Sequence, residues 1–406
     1  MDLHSGTYFW PQTYLDAPTY EQLNENISCD VLIIGAGCSG AHCAHYLSQF
    51  DLNVVVIDKR EVARGSTVVS TALLQYIGDK MFHQLAHSFG EEIAALHHRL
   101  CKLAIDDIEK LSKTMDVNPH FQRRDSLLFS SSPDDVSMLK KEYNILKKYN
   151  FPVEWLTRQD IGKRYSFTKD AAITTLNDAE INPYIYTHNL INIAAKRGVR
   201  VYERTEIIGK KLEKHNATLF TKNKRSVKAK HVIFATGYEY FQFKKERNTS
   251  LESSYALFTN QLTEDTFYPW YKRSLIWETA RPYLYIRTTN DNRVIIGGLD
   301  EPTSLAEIRD AKLINKKNKL IKVFNELFPT IKVRPEYYYA AFYGGTHDGL
   351  PMIGMYEELP HCYFLLCFGD NGLVYSNVMS KIIGDSIVKG TSEHLPIYLQ
   401  TRPLKP

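Results

Sequence analysis

The stretch Asp30–Gly40 constrains this chain more than any other. Val31–Ile34 is a short apolar run that reads as a buried strand, and it leads directly into Gly35-x-Gly37-x-x-Gly40. Ala41, Ala44 and Leu47 then recur at helical spacing, and a second apolar run, Val54–Ile57, ends in Asp58 and Lys59. Strand, glycine-rich turn, helix, strand and acid in that order form the βαβ unit that holds a dinucleotide. Gly35 permits the tight turn, Gly37 lets a pyrophosphate approach the backbone, and Gly40 lets the helix lie close to the strand. The helix start around Cys38 and Ser39 offers free N–H groups and a partial positive charge to phosphates. Asp58 is placed to accept hydrogen bonds from ribose hydroxyls.

With 406 residues the chain exceeds one compact core, so two domains are expected. A net charge of +4 is too small for a nucleic-acid footprint, and the clusters Lys222–Arg225 and Lys316–Lys319 read as solvated turns or helix faces. No apolar run approaches the roughly 18 residues that a membrane helix needs. Met1–Asn26 mixes acids, aromatics and prolines without a basic start and apolar core, so the expected compartment is the cytoplasm. The cysteines at 29, 38, 43, 101, 362 and 367 form no CxxC or CxH pair, which argues against a metal centre and a disulfide framework.

Along the chain, residues 1–28 carry aromatics and prolines and read as an irregular arm lying on the body. Arg64–Gln75 crowds small and hydroxyl residues together. Ser66, Thr67, Ser70 and Thr71 either donate to a ligand or form a loop with a helix cap. Helical periodicity spans 85–115, and further helices are expected over 136–149, 184–196 and 306–327. His231–Gly237 is an apolar strand ending in Ala235-Thr236-Gly237. Alternating β-formers over 250–300, separated by turns, predict an antiparallel sheet and a second, differently built domain. Near the C-terminus stand Thr346–Gly354 (THDGLPMIG) and a strand 363–367. The run Phe368-Gly-Asp-Asn-Gly372 follows and leads into a helix from about Leu373 to Val388. Glycine-rich backbone again meets a helix N-terminus, a second place for negative charge.

Four segments therefore coincide in order: GxGxxG with Asp58, the Gly65–Leu74 run, the Ala-Thr-Gly strand, and TxDGLPxIG with its GxNG helix. Together they resemble the D-amino-acid oxidase/glycine oxidase family of FAD-dependent oxidoreductases, which includes sarcosine oxidases and gamma-glutamylputrescine oxidoreductases. The resemblance implies an α/β FAD-binding two-dinucleotide-fold domain, assembled from 1–84, 181–245 and 341–406. An antiparallel-sheet substrate domain of α+β type, 85–180 and 246–340, is interleaved with it. It implies non-covalent FAD along Gly35, Gly37, Cys38, Ser39, Gly40, Asp58 and Lys59. Ser66, Thr67, Thr71, Ala72 and Leu74 would lie along pyrophosphate and flavin, Glu206 and Ile207 would meet adenine, and Ala235, Thr236 and Gly237 would flank the cofactor. Gly369, Asn371, Gly372 and Leu373 would aim a helix start at the flavin's pyrimidine edge.

The implied reaction is hydride transfer to flavin N5 from a carbon bearing an amine, in a small-molecule amine or amino acid, with O2 or another electron acceptor. Tyr343 stands where glycine and D-amino-acid oxidases carry a carboxylate-gripping arginine, and Ala341 where monomeric sarcosine oxidases link flavin through cysteine. A replacement grip is expected on the strand Arg281–Arg287. Residues two apart share a face there, which aligns Arg281, Tyr283, Tyr285 and Arg287, with Arg287 as the ligand and Tyr285 and Tyr343 closing the pocket. A solvated sheet face is the other reading of that strand. Three alternatives stay open: a non-oxidase flavin dehydrogenase, a flavin-binding subunit without turnover, and a pyridine-nucleotide dehydrogenase.

Overall fold

In the computed structural model residues 1–403 are described except 79, 243–245, 247, 367, 368 and 370, together with the side chains of 241 and 242. Cys367, Phe368 and Asp370 of the last motif thus lie outside the described residues.

The apolar run that opens the chain's main motif forms the strand Ile27–Ile34, and residues 31–33 are fully buried. It pairs in parallel with Val54–Ile57 on one side and Ser226–Phe234 on the other. Arg200–Tyr202 and Cys362–Leu366 extend the parallel sheet at its two ends, and Met352–Met355 adds an antiparallel edge. The hairpin Ile207–Leu212 and Ala217–Thr221 hangs from Ser226–Phe234. Strands buried on both faces read as continuous Val/Ile/Leu runs, which is why 31–34 and 54–57 show no alternation.

A second, mostly antiparallel sheet runs His4–Gly6, Pro335–Thr346, Thr249–Thr259, Val294–Glu301, Leu284–Thr288, Leu275–Glu278, Gln122–Phe129, Ala171–Glu180 and Leu73–Leu74. One face packs on the helix Ala306–Leu327: Leu284, Ile286 and Ile296 join Leu313, Leu320 and Phe324 in one core. The other face turns toward the parallel sheet. The helix Cys38–Leu47 lies against Gly372–Lys389, where the hydroxyls of Ser39 and Ser376 meet at 2.8 Å.

Two expectations change in detail. The N-terminal arm is not wholly irregular: His4–Gly6 pairs with residues 339–341, and Trp10 is 1% exposed. Phe9 and Trp10 are buried while Tyr8, Tyr14 and Tyr20 are half-buried, and the backbone beside them finds partners in the sheet, as where Thr7 N donates to Tyr338 O at 3.0 Å. The helical stretch 85–115 is two helices, Phe82–Phe89 and Glu91–Ser112, broken where Gly90 takes φ +94°. That conformation is open to glycine and cannot continue a right-handed helix.

Candidate functional site

At the carboxyl ends of Ile27–Ile34 and Ser226–Phe234 the parallel sheet reverses its order of connection, since the chain runs from Ile27–Ile34 first to Val54–Ile57 and later returns to the opposite side. Ligands of open α/β sheets bind in the crevice outside such a reversal. A cavity of about 310 Å³ opens there, and its wall continues onto the face of the antiparallel sheet.

The glycine-rich turn is shaped by close backbone approach. Gly35 takes φ +112°, and a Cβ on it would lie 2.3 Å from the Ala235 carbonyl oxygen. A Cβ on Gly40 would lie 1.8 Å from the carbonyl oxygen of Gly35, so the helix can close on the strand only without one. Gly37 caps the helix Cys38–Leu47 with no side-chain hydrogen bond to its first turn. Thr67 Oγ1 accepts from Cys38 N at 3.0 Å and fixes the hydroxyl-rich segment against that turn. Asp58 accepts from Ala36 N and Arg60 N, both at 2.7 Å, one on each oxygen. Each carboxylate oxygen keeps a further lone pair for a ligand hydroxyl. Burial pushes the Asp58 carboxyl above its usual range.

Beyond Asp58, Glu239 gathers Lys59 at 2.8 Å and Arg60 at 2.9 Å. Burial alone would raise the Glu239 carboxyl, but hydrogen bonds from Arg60 and Lys59 outweigh it and hold the group at about 2. At the opposite end the helix Gly372–Lys389 begins with Asn371, whose side chain does not cap it. The Asn371 amide instead reaches the backbone of Gln75, donating to its carbonyl oxygen. Gly372 and Leu373 thereby present an uncapped helix start to the cavity.

The structure brings most of the sequence-predicted residues to one cavity wall. Gly35, Gly37, Cys38, Ser39, Asp58, Lys59, Ser66, Thr67, Thr71, Glu206, Ile207, Ala235, Thr236, Gly237, Gly369, Gly372 and Leu373 line it, as do Tyr285, Ala341 and Tyr343. Gly40, Ala72, Leu74 and Asn371 stand behind the lining, as packing or bracing residues: Ala72 and Leu74 are in the core, at 5% and 0% exposure.

Arg281 and Arg287 are not brought to the cavity. Arg281 is exposed and precedes the strand, which starts at Leu284; Pro282 between them has no N–H to join a ladder. Arg287 shares the face of Tyr285, as the alternation requires, but that end of the strand is roofed. Its guanidinium donates to the carbonyls of Thr71 at 2.5 Å, Ile181 at 2.9 Å and Thr288 at 3.0 Å, and sits over the Trp10 ring at 5.4 Å. The expected carboxylate grip is therefore a buried brace. Tyr283, aligned with Tyr285 by the strand's alternation, lines the cavity as well, whereas sequence reasoning passed over Gln75, Trp277 and Tyr339, which also line it. Strand alternation with Ala341 and Tyr343 could have found Tyr339, but Tyr337 and Tyr338 beside it blur the signal.

Residues 30–386 match the family model of the FAD dependent oxidoreductases named DAO, and the chain belongs to that family. Its cofactor is FAD. Gly37 at the cavity wall, two helix starts there whose N-cap side chains make no cap, and the buried Thr236 hydroxyl, unpartnered among the described residues, suit a long anionic ligand of this kind. Among curated proteins, the chain is 22% identical to YhfW of Bacillus subtilis (strain 168), which bears the name of a Rieske 2Fe-2S iron–sulfur protein, over 97% of this chain and 76% of that one. It is 21% identical to gamma-glutamylputrescine oxidoreductase of Escherichia coli (strain K12), over 98% and 92%. Among solved structures, L-proline dehydrogenase from P. horikoshii superposes with a TM-score of 0.76 at 20% identity, covering 94% of this chain and 98% of that one. Among the described residues no helix is long and apolar enough to cross a membrane.

Proposed function

We propose that this chain oxidises the C–N bond of a small-molecule amine or amino acid, with FAD held non-covalently. One observation carries the reading: a single cavity is lined both by the carboxyl ends of the parallel strands and by an aromatic face of the antiparallel sheet. The first lining suits a dinucleotide and the second a small organic substrate. Oxidation at a carbon next to nitrogen is also consistent with the names of two relatives, one acting on gamma-glutamylputrescine and one on L-proline.

In this reading the segments 1–84, 181–245 and 341–406 bind FAD, and 85–180 with 246–340 form the substrate domain. All the strands of the parallel sheet and its hairpin fall within the first set. Gly37 and the start of Cys38–Leu47 would hold the pyrophosphate, Asp58 the ribose, and Glu206 and Ile207 the adenine. Ser66, Thr67 and Thr71 run alongside. FAD, when bound, accepts a hydride at N5 and passes two electrons on to O2 or another acceptor. The start of the helix Gly372–Lys389, at the cavity wall, would offer its N–H groups to the negative charge of a reduced flavin. The aromatic wall excludes water and orients the substrate so that the C–H beside nitrogen faces the cofactor. The substrate loses a hydride from carbon and a proton from nitrogen, and water hydrolyses the resulting imine. Ala341 occupies the cavity wall with a methyl group, which cannot form a covalent link.

The test is anaerobic bleaching of the purified yellow protein by a panel of amines and amino acids, repeated in air with peroxide detection. Bleaching by at least one member is expected, and acid precipitation should release all the colour. Colour remaining with the precipitate would overturn non-covalent binding, and a flavin that no member bleaches would overturn C–N oxidation.

A further inference from the structure

Across five strands of the antiparallel sheet, one row of directly opposed residues reads Trp277, Tyr285, Gly297, Ala256, Tyr339. Directly opposed residues share a face, and four of the five line the cavity, Gly297 being the exception. Gly297 is covered instead: a Cβ there would lie 2.3 Å from the Tyr285 ring, so the hydroxyl end of that ring covers the glycine. Ala256 is then the small floor between Tyr285 and Tyr339, with Trp277 extending the aromatic wall beyond Tyr285.

Tyr339 is 2% exposed, and its hydroxyl has no hydrogen-bond partner among the described residues. Buried hydroxyls are normally paired, so an unpaired one in a cavity wall marks a position for ligand contact. Burial holds this phenol well above its usual range, so it remains neutral. The row thus offers ring faces of negative potential, which suit a cation and not an anion, together with the neutral Tyr339 hydroxyl, which can accept a hydrogen bond. Arg287 lies behind this wall with its charge facing Glu180 at 3.7 Å and its donors engaged by three carbonyls. Lys59 and Arg60 are held by Glu239. Asp300 adds a carboxylate to the cavity lining.

Resting on the C–N oxidation reading, we propose that this row is the substrate seat and that it selects cationic amines lacking a carboxylate, with the Tyr339 hydroxyl accepting a hydrogen bond from the substrate nitrogen. The expected substrates are aliphatic mono- or diamines rather than α-amino acids.

The holoenzyme is titrated anaerobically with butylamine and putrescine, and separately with glycine, sarcosine and L-proline. The amines should bleach the flavin at a concentration at least tenfold below any of the amino acids. Tyr339→Phe, which keeps the ring, should raise the half-bleaching concentration for the amines about tenfold with flavin content unchanged. Wild-type protein gives a second readout that needs no variant and no turnover: tetramethylammonium chloride should perturb the flavin absorption bands, and sodium acetate should not. Amino acids bleaching at equal or lower concentration would overturn the proposal while leaving C–N oxidation intact. An unchanged response in Tyr339→Phe, or a shift with acetate and none with tetramethylammonium, would overturn it too. Bleaching by neither set would fail the underlying reading and this inference with it.

Discussion

Arg287 Nε donates to the carbonyl oxygen of Thr71 at 2.5 Å, tying the antiparallel sheet to the hydroxyl-rich segment that lines the cofactor cavity. The same guanidinium reaches Ile181 O, just before the helix Pro183–Lys196, and stands 3.7 Å from Glu180. One side chain thus fixes three separate stretches of chain against each other. Burial pulls its guanidinium down to about 10, which still leaves it protonated at neutral pH.

Arg287→Leu is therefore expected to act on stability and cofactor retention, not on substrate affinity. It leaves three carbonyls without their donor and Glu180 with one cation fewer, and breaking a buried pair in this way costs roughly 3–5 kcal/mol. Thermal denaturation should show a markedly lower midpoint, and absorbance of the purified protein a lower flavin content. A variant with wild-type midpoint and flavin content, but a raised half-bleaching concentration, would return Arg287 to the substrate.

The contrast between Arg287 and the glycine-rich turn explains how far the sequence could be read. Gly35, Gly37, Gly40 and Asp58 act through backbone geometry within one continuous βαβ unit, so their spacing carries the information. The helix Ala306–Leu327 was likewise legible, because its apolar period and its end at Phe328-Pro329 are local. Strand alternation placed Tyr285 and Arg287 on one face, which the structure bears out. It could not say that Trp10, Thr71 and Ile181, distant in sequence, would roof one end of that face and leave the other open. The substrate row is illegible for the same reason, since its five residues come from five strands and meet only through register.

Gly297→Ala tests the packing of that row. The added methyl would sit 2.3–2.4 Å from ring carbons and the hydroxyl of Tyr285, so the ring must swing off the sheet. Overpacking of this kind costs about 1–3 kcal/mol. Flavin content should remain at wild-type level, while the half-bleaching concentration for a substrate amine rises severalfold. An unaltered bleaching curve would mean that the Tyr285 ring position is irrelevant to substrate.

The Glu239 cluster predicts a pH dependence with a definite sign. The carboxyl is held at about 2, below its ordinary value of 4.5. A depressed folded-state value contributes stability that is present above 4.5 and lost as pH falls toward 2. Glu239→Gln should lower the melting midpoint at pH 7. The gap to wild type should narrow as pH drops through that window, because the wild-type carboxyl is then neutralised as well. A gap that stays constant from pH 7 down to 2.5 would show that the charge of Glu239 contributes nothing to the cluster.

Gly37 and Gly40, three residues apart in the sequence, can be separated by experiment. A Cβ on Gly40 would lie 1.8 Å from the Gly35 carbonyl oxygen, a backbone atom that cannot yield without opening the turn. Gly40→Ala should therefore destabilise the protein whether or not FAD is present, and should be visible as a lower melting midpoint in flavin-stripped material. Among the described residues a Cβ on Gly37 would meet only the Thr67 hydroxyl, at 3.2 Å, a contact that a small shift relieves. The branches of a valine at Gly37 would instead project into the cavity, where a pyrophosphate approaches the backbone. Gly37→Val should keep a near-wild-type midpoint when stripped of flavin, yet retain less than a tenth of the FAD after purification and fail to regain it on incubation with excess cofactor. Full flavin content in folded Gly37→Val would mean that this turn serves packing alone and that FAD lies elsewhere in the cavity.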